Sequence, residues 1–191
     1  MWEKRYAEDL ASVDVAWSVS RVVRFFEEES TVTDETLTGH SPAGHSDVIY
    51  LSSDHAGCEL RAQVAAHLTL LGYKVRDLGP TANESVDYPD VGAKLAEALR
   101  GDTLARGIAI CGSGIGISIA VNRFSWARAA LVSDPAAARL CRQHNDANVL
   151  ALGERLIAPE TALACVDAFL QTEFEGGRHQ RRVDKLTELP K

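Results

Sequence analysis

A cysteine followed by a glycine-rich turn is the part of this chain whose residue types are best suited to chemistry. In residues 108–118 an apolar run ends at Cys111, and Gly112, Gly114 and Gly116 follow before an apparent helix. Free backbone N–H groups and the positive end of a helix dipole meet in such a turn, so it can bind an anion. The same surroundings favour the thiolate form of a cysteine. We therefore expect Cys111 to act as a nucleophile or as a base that abstracts a proton.

Two other interpretations of this segment stay open. One is a dinucleotide site, because Asp134 lies about twenty residues after the loop, where an acidic residue would bind a ribose. However, the spacing Gly112-x-Gly114-x-Gly116 differs from G-x-G-x-x-G, and the loop follows the third predicted strand rather than the first. The other is a buried structural thiol, since free cysteines are among the most buried residue types.

His144 and Asn145 form a second polar cluster, between a predicted helix and a predicted strand. Within one subunit, an unbroken helix-to-strand connection places this loop at the strand end opposite to Cys111. In a monomer the loop would be a solvated surface, whereas in a dimer it could reach the site of a neighbouring subunit. The residue types alone leave both possibilities open.

Arg178 and Arg182 form a third cluster, within a helix predicted over residues 177–189. On a helix the two side chains would lie one turn apart on the same face. Two guanidinium groups at this spacing could hold an anion, and phosphate suits their geometry. Alternatively, neighbouring acids such as Glu175 and Asp184 offset the like charges, and the pair is only solvated surface.

The elements that must position these clusters follow a regular pattern from residue 47 onward. Apolar runs separated by helical patterns predict five strands, at residues 48–51, 73–78, 107–111, 129–132 and 148–152. This alternation indicates an α/β fold, a Rossmann-like three-layer sandwich with a five-stranded parallel sheet. Ligands bind at the carboxyl ends of the strands in such sheets. Asp54, His55 and Cys111 all lie at those ends.

Composition limits the classes of function that need be considered. The chain has 191 residues, 46% of them hydrophobic, and a net charge of −7, which fits one soluble domain with an appendage. The negative charge argues against nucleic-acid or membrane partners, and the apolar stretches are too short to span a bilayer. The four cysteines lack metal-binding spacing and no signal peptide is recognisable, so we expect no metal and a cytoplasmic location.

Residues 1–46 differ from the rest and are predicted to be an N-terminal helical extension with a linker. Trp2, Tyr6, Leu10 and Trp17 recur at roughly helical spacing, and a stretch rich in Thr, Ser and Gly follows them. Either the extension packs on the domain or a partner, or it is foreign to a domain that spans residues 47–191.

Five separated motifs, in this order, resemble the ribose-5-phosphate isomerase B family, whose relatives include the galactose-6-phosphate isomerase subunits. They are SDHAG at 53–57, DYP at 87–89, ICGSGIGIS at 110–118, RQHNDANVL at 142–150 and GGRHQ at 176–180. The resemblance runs from about Val48 to Leu189 and leaves out residues 1–46.

The resemblance implies a reaction of the pentose phosphate pathway, the interconversion of ribose 5-phosphate and ribulose 5-phosphate without a metal or organic cofactor. It also implies homodimers or tetramers whose active sites combine two subunits. Cys111 matches the base that moves a proton between C1 and C2, and His144 matches the group that opens the sugar ring and donates a proton. Some branches use a later glutamate as the base; residues 115–120 contain no acid, so the chain resembles the cysteine-type branch.

The same resemblance implies a set of substrate-binding residues. Arg178, Arg182 and His55 would hold the phosphate, and Tyr88 would line the pocket. The full set of matched binding positions is Asp54, His55, Gly112, Ser113, Gly114, Ile115, Gly116, Asn145, Arg155, Arg178 and Arg182.

Three alternatives to pentose isomerisation remain at this point. The same chemistry could act on a hexose phosphate such as allose or galactose 6-phosphate. The domain could bind a sugar phosphate or nucleotide without turnover, although a sensor would need neither Cys111 nor His144. A nucleophilic cysteine hydrolase would require a base within hydrogen-bond reach of the thiol, and no histidine is close to it in sequence.

Overall fold

The computed structural model describes residues 47–81 and 84–189, so the predicted N-terminal extension lies outside the described residues. Five parallel strands form one sheet in the order β2-β1-β3-β5-β4. They are β1 (Val48–Ser53), β2 (Lys74–Asp77), β3 (Arg106–Cys111), β4 (Ala129–Leu131) and β5 (Val149–Gly153). The predicted α/β fold with a five-stranded parallel sheet is therefore confirmed.

Burial explains the order of the strands. Every residue of β3 and β5 is buried, as expected for central strands covered on both faces. The edge strand β2 has the polar sequence KVRD and is largely exposed. The continuous apolar runs therefore occupy the middle of the sheet.

Residues 47–81 and 84–189 contain six α-helices, and the first five of them cover the two faces of the sheet. They are α1 (Cys58–Leu70), α2 (Tyr88–Ala98), α3 (Ile115–Val121), α4 (Pro135–Asn145), α5 (Pro159–Gln171) and α6 (Gln180–Glu188), and a short 3₁₀ turn (His55–Gly57) precedes α1. The helices α1, α4 and α5 share one apolar core with the sheet, which includes Val64 and Phe169. The helices α2 and α3 share a second core with the opposite face, which includes Leu95 and Ile117.

Parallel pairing brings the important strand ends together. Ser53 of β1 is paired with Ile110 of β3, and Cys111 is paired with Gly153 of β5. The segments that follow these three strands therefore lie side by side at the carboxyl edge of the sheet. The end of α4 lies at the amino edge, because α4 leads into the start of β5.

The C-terminal helix begins later than the sequence predicts. It starts at Gln180 rather than at residue 177, so Arg178 lies in a turn before it. Gly176 and Gly177 have φ values of 62° and 53°, a left-handed conformation that an α-helix cannot continue through. The expectation that Arg178 and Arg182 share a helix face is therefore wrong.

The cluster around His144 also differs in detail from the prediction. His144 and Asn145 lie in the last turn of α4 rather than in a loop, and Asp146 ends the helix with a φ of 46°.

Among residues 47–81 and 84–189, the structure contains no helix that is both long enough and apolar enough to cross a membrane.

Candidate active site

Cys111 is the last residue of β3, and its side chain lies beneath the glycine loop. The residue is 4% exposed, and the Gly114 N–H group donates a hydrogen bond to its sulfur at 3.1 Å. A backbone N–H group aimed at sulfur stabilises negative charge there. The next N–H group, that of Ile115, is 3.3 Å from the Ser113 hydroxyl oxygen. The loop therefore places one backbone donor on the sulfur, while the Ile115 N–H group is directed at Ser113.

Two glycines allow the loop to lie against the end of β5. Gly114 has a φ of 74°, and a Cβ atom there would lie 2.8 Å from the backbone carbon of Leu152. A Cβ atom on Gly153 would lie 2.5 Å from the backbone of Ser113. Backbone approaches this close are possible only without side chains. The loop and the turn after β5 thus hold each other in place.

The turn after β5 adds a guanidinium group to this edge. The backbone N–H groups of Glu154 and Arg155 donate to the carbonyls of Cys111 and Gly112, each at 3.0 Å. The Arg155 guanidinium lies over Gly112, where an added Cβ atom would be 3.3 Å from its central carbon. The Glu154 carboxylate accepts a hydrogen bond from the Leu60 N–H group at 2.9 Å, which caps the start of α1.

The segment after β1 brings Asp54 and His55 to the same edge. Asp54 is buried, and its carboxylate accepts a hydrogen bond from the Ala56 N–H group at 2.9 Å. The exposed His55 has Nδ1 3.1 Å from the Val86 carbonyl oxygen. Because a carbonyl only accepts, Nδ1 carries the proton in this contact. Within residues 47–81 and 84–189, no hydrogen bond occupies the other ring nitrogen, Nε2.

Tyr88 reaches the end of the glycine loop from the neighbouring helix α2. It is the first residue of α2, and a Cβ atom on Gly116 would lie 2.7 Å from its ring. One chain therefore brings together most of the expected site: Asp54, His55, Tyr88, Cys111, Gly112, Ser113, Gly114, Ile115, Gly116 and Arg155.

The remaining expected residues lie at the other edge of the sheet. Cys111 is level with Gly153, whereas α4 leads into β5 at Val149, and the five residues of β5 span about 13 Å. His144 and Asn145 are therefore separated from the Cys111 sulfur within one chain. Arg178 and Arg182, both exposed, belong to the segment that packs beside His144.

A stacked pair of histidines dominates this second group. The rings of His144 and His179 are parallel within 3°, with centroids 4.3 Å apart. The Glu175 carboxylate lies 3.6 Å from His179 Nε2 and 3.9 Å from His144 Nε2. Burial, followed by the charges of His144 and Arg178, lowers the pKa of His179. His179 was not assigned a role from the sequence, because its partner lies 35 positions away.

A network of charges fixes the end of α4 that carries His144. The Asp146 carboxylate accepts hydrogen bonds from Arg142 at 2.8 Å and from Arg128 at 2.7 Å. Arg142 is 1% exposed and also donates to the Ala147 carbonyl. Because a buried guanidinium is stable only when paired, this network holds the last turn of α4 in one position. The i,i+4 spacing of Arg142 and Asp146 is a signal that the sequence analysis did not use, whereas nothing in the spacing indicates the pairing of Arg128 with Asp146.

His144, Glu175 and His179 form the only group of potential metal ligands found in the described residues, with ligand atoms within 4.8 Å of one another. The two rings are parallel, so their nitrogen lone pairs do not converge on one point, as tetrahedral zinc requires. The Arg178 Nε–H group also donates to His179 Nε2 at 3.2 Å. As arranged, these side chains do not fit a metal ion.

Asp134, the acid required by the dinucleotide interpretation, has a structural contact. It is the residue before α4, and its carboxylate accepts a hydrogen bond from the Ala137 N–H group at 2.8 Å. This is the usual task of an aspartate at a helix N-cap. The contact accounts for Asp134 without a ribose.

Comparisons with known proteins agree with this architecture. A family model described as Ribose/Galactose Isomerase matches residues 49–186. The chain is 45% identical to ribose-5-phosphate isomerase B of Escherichia coli (strain K12) over 141 residues, which are 74% of this chain and 95% of that protein.

Solved structures show the same similarity. Ribose-5-phosphate isomerase B of Clostridium thermocellum is 50% identical, with a TM-score of 0.72 over 74% of this chain and 95% of that one. Ribose-5-phosphate isomerase B of Mycoplasma genitalium, solved with bound ribulose 5-phosphate, is 40% identical, with a TM-score of 0.71 over 74% of this chain and 94% of that one.

The glycine loop can be tested by comparing two alanine substitutions. Gly72 has a φ of 87° with nothing within 4 Å of an added Cβ atom, whereas Gly114 combines a positive φ with a backbone overlap. We expect Gly72→Ala to lower the free energy of unfolding by about 1 kcal/mol and Gly114→Ala by about 3 kcal/mol. Urea denaturation measures both. Equal losses of unfolding free energy would show that Gly114 is not in close backbone contact with β5.

Proposed function

Because this chain belongs to the ribose/galactose isomerase family, we propose that Cys111 and His144 carry out the isomerisation for which its relatives are named. The reaction interconverts the aldose ribose 5-phosphate and the ketose ribulose 5-phosphate. Its chemical requirement is a base that moves one proton between two neighbouring carbons. The main support for Cys111 in this role is its sulfur, which accepts the Gly114 N–H group at the carboxyl end of β3.

For proton transfer the Cys111 sulfur must be a thiolate, and a hydrogen-bond donor such as the Gly114 N–H group stabilises that form. No second base beside the sulfur is required. In the open-chain aldose, the thiolate takes the proton from C2, and the C1 carbonyl oxygen becomes part of an enediolate. A proton moves from the C2 hydroxyl to the C1 oxygen, and the thiol returns its proton to C1. Atoms and charge balance without an added oxidant or reductant. Among the described residues no base contacts the sulfur, which disfavours a nucleophilic hydrolase.

The glycine loop is suited to stabilise the oxyanion of the enediolate. We assign this task to the backbone N–H groups of residues 112–116 and to the Ser113 hydroxyl, which belong to the loop that directly follows Cys111. Preorganised donors of this kind each contribute about 3 kcal/mol to stabilising the transition state. We assign Asp54 and Tyr88 to the hydroxyl groups of the sugar, because the Asp54 backbone bonds the end of β3 and the Tyr88 ring lies against Gly116 of the loop.

The phosphate group needs positive charge at the far end of the sugar. On the same chain as Cys111, the Arg155 guanidinium lies over Gly112, and His55 directly follows β1 at the same edge of the sheet. We assign the main phosphate contacts to Arg178 and Arg182 of the partner subunit. Guanidinium groups bind phosphate through paired N–H donors.

A second copy of the chain is required to complete this site. His144, Asn145, Arg178 and Arg182 lie at the edge of the sheet opposite Cys111, so one subunit cannot use all of them on one substrate. Next to the glycine loop, α3 exposes Ile115 and Ile119, which are 50% and 60% exposed. Apolar side chains in this position suit a surface that a second copy covers. In the dimer, the partner subunit's His144 opens the sugar ring and Asn145 binds the substrate.

We place the reaction in the cytoplasm. The cysteines Cys58, Cys111, Cys141 and Cys165 are all free thiols, as is usual in a reducing compartment. Catalysis by a thiolate also depends on that sulfur remaining reduced.

Replacing Cys111 by alanine should separate catalysis from binding. We expect kcat to fall about a thousandfold, because a general base contributes at about that level. Inhibition by a reduced pentitol phosphate, which cannot isomerise, should change by less than about tenfold. A coupled assay on ribose 5-phosphate measures both constants.

Cys165→Ala is the matched control for this substitution. Its thiol is fully buried, and burial raises its pKa to about 11, so it stays protonated. The control should keep kcat within about threefold. If Cys111→Ala also keeps most of the parent's kcat, another group is the base.

Mixing two inactive variants tests whether the active site is shared. Cys111→Ala and His144→Ala subunits should each form inactive homodimers. Random reassociation makes half of the dimers mixed, and each mixed dimer regains one intact site of two. We therefore expect about a quarter of the parent's rate after co-expression. Mixed dimers that stay inactive would place both groups in the same subunit's site.

A further inference from the structure

The flat contact between His144 and His179 is more constrained than a chance surface pair. The rings are parallel within 3° at 4.3 Å, and His179 is only 4% exposed. The backbone N–H group of Glu175 donates to the Gln143 carbonyl at 3.1 Å. This bond ties the segment that carries His179 to the last turn of α4. The position of one ring is therefore coupled to the position of the other.

The hydrogen bond from Arg178 defines the protonation state of His179. The guanidinium Nε–H group can only donate, and it lies 3.2 Å from His179 Nε2. That nitrogen must therefore present a lone pair, and the proton of the neutral ring is on Nδ1. The charges facing His179 are His144 from α4, Glu175 and Arg178 from the preceding segment, and Arg182 from α6. Together with burial, the three cationic groups lower the pKa of His179, against the opposing effect of Glu175.

A neutral ring is the right neighbour for a histidine that changes its charge. His144 must gain and lose a proton if it opens the sugar ring, and a cationic ring is attracted to a neutral aromatic face. Two imidazolium rings at this separation would instead repel. The stack also removes the freedom of His144 to turn about its side-chain torsions, which preorganises it.

We propose that His179 is a positioning residue for His144: a neutral imidazole, protonated on Nδ1 and held by Arg178, whose face fixes the orientation of the His144 ring in both of its charge states. This inference rests on the proposed function of His144. It assigns His179 no contact with substrate.

Three substitutions at His179 distinguish the contribution of the flat ring face to kcat from the contribution of the ring nitrogens. His179→Phe keeps the face and loses the acceptor for Arg178, so kcat should stay within about threefold while KM rises. His179→Leu fills similar space without a flat ring, and kcat should fall about tenfold or more. His179→Ala should lose at least as much. The neighbouring exposed Arg181→Ala is the control and should change neither constant.

A double-variant cycle identifies His144 as the group through which His179 acts. The cycle uses the residual rate of His144→Ala, measured at high enzyme concentration over long incubation. In this background, His179→Leu should cause no further loss of that residual rate. Equal fold-losses in both backgrounds would overturn the proposal, because they would indicate a general structural defect. Equal kcat values for the Phe and Leu variants of the parent would also overturn it. If His144→Ala itself keeps full activity, the proposed function fails, which is a distinguishable result.

Nuclear magnetic resonance of the intact protein gives a readout that does not depend on activity. Long-range ¹H–¹⁵N spectra of histidine-labelled protein distinguish the two neutral tautomers from the cation. We expect the His179 signals, assigned by their loss in the His179→Phe variant, to show a neutral ring protonated on Nδ1 at pH 7. A ring protonated on Nε2, or a cationic ring, would contradict the proposal.

Discussion

The N–H group of Gly114 reaches the Cys111 sulfur, 3.1 Å away, with a backbone φ of 74° that other residues rarely adopt. The same residue lies against the backbone of β5, where Gly153 in turn meets Ser113. Main-chain contacts between two neighbouring strand ends therefore set the position of the thiol. Because such contacts tolerate no added methyl group, the sulfur and the donors around it are held rigidly in relation to each other. That rigidity is what electrostatic stabilisation of a short-lived oxyanion requires.

The parallel sheet imposes a second constraint, which separates the proposed acid and base. Strands that all point one way put the thiol at one edge, while each returning helix ends at the other. His144 is at the end of α4, so it lies at the amino edge together with Arg178 and His179. Under the proposed function, a single copy therefore carries two half-sites, one at each edge of the sheet. Association of two copies is the simplest arrangement that unites them, and the exposed apolar residues of α3 lie where such a contact would help.

Much of this arrangement could be predicted from the sequence because it depends on local patterns. Apolar periodicity located the strands and helices, and the rule for parallel sheets grouped Asp54 with Cys111. The start of α6 was placed wrongly, since two successive glycines can continue a helix or stop it. The His144–His179 stack and the Arg128–Asp146–Arg142 network were missed. The stack and the Arg128–Asp146 pair join residues whose proximity only the folded chain defines, whereas the Arg142–Asp146 pair has the i,i+4 spacing of a helical ion pair and could have been predicted.

Following the hydrogen on C2 of the substrate tests the proposed proton transfer by Cys111 most directly. Ribose 5-phosphate carrying deuterium at C2 should isomerise more slowly than the ordinary sugar. Ordinary substrate converted in D₂O should give ribulose 5-phosphate that contains solvent deuterium at C1, because a thiol can exchange its proton with water between the two transfers. Equal rates for both substrates, with no solvent deuterium in the product, would contradict a base that carries the proton.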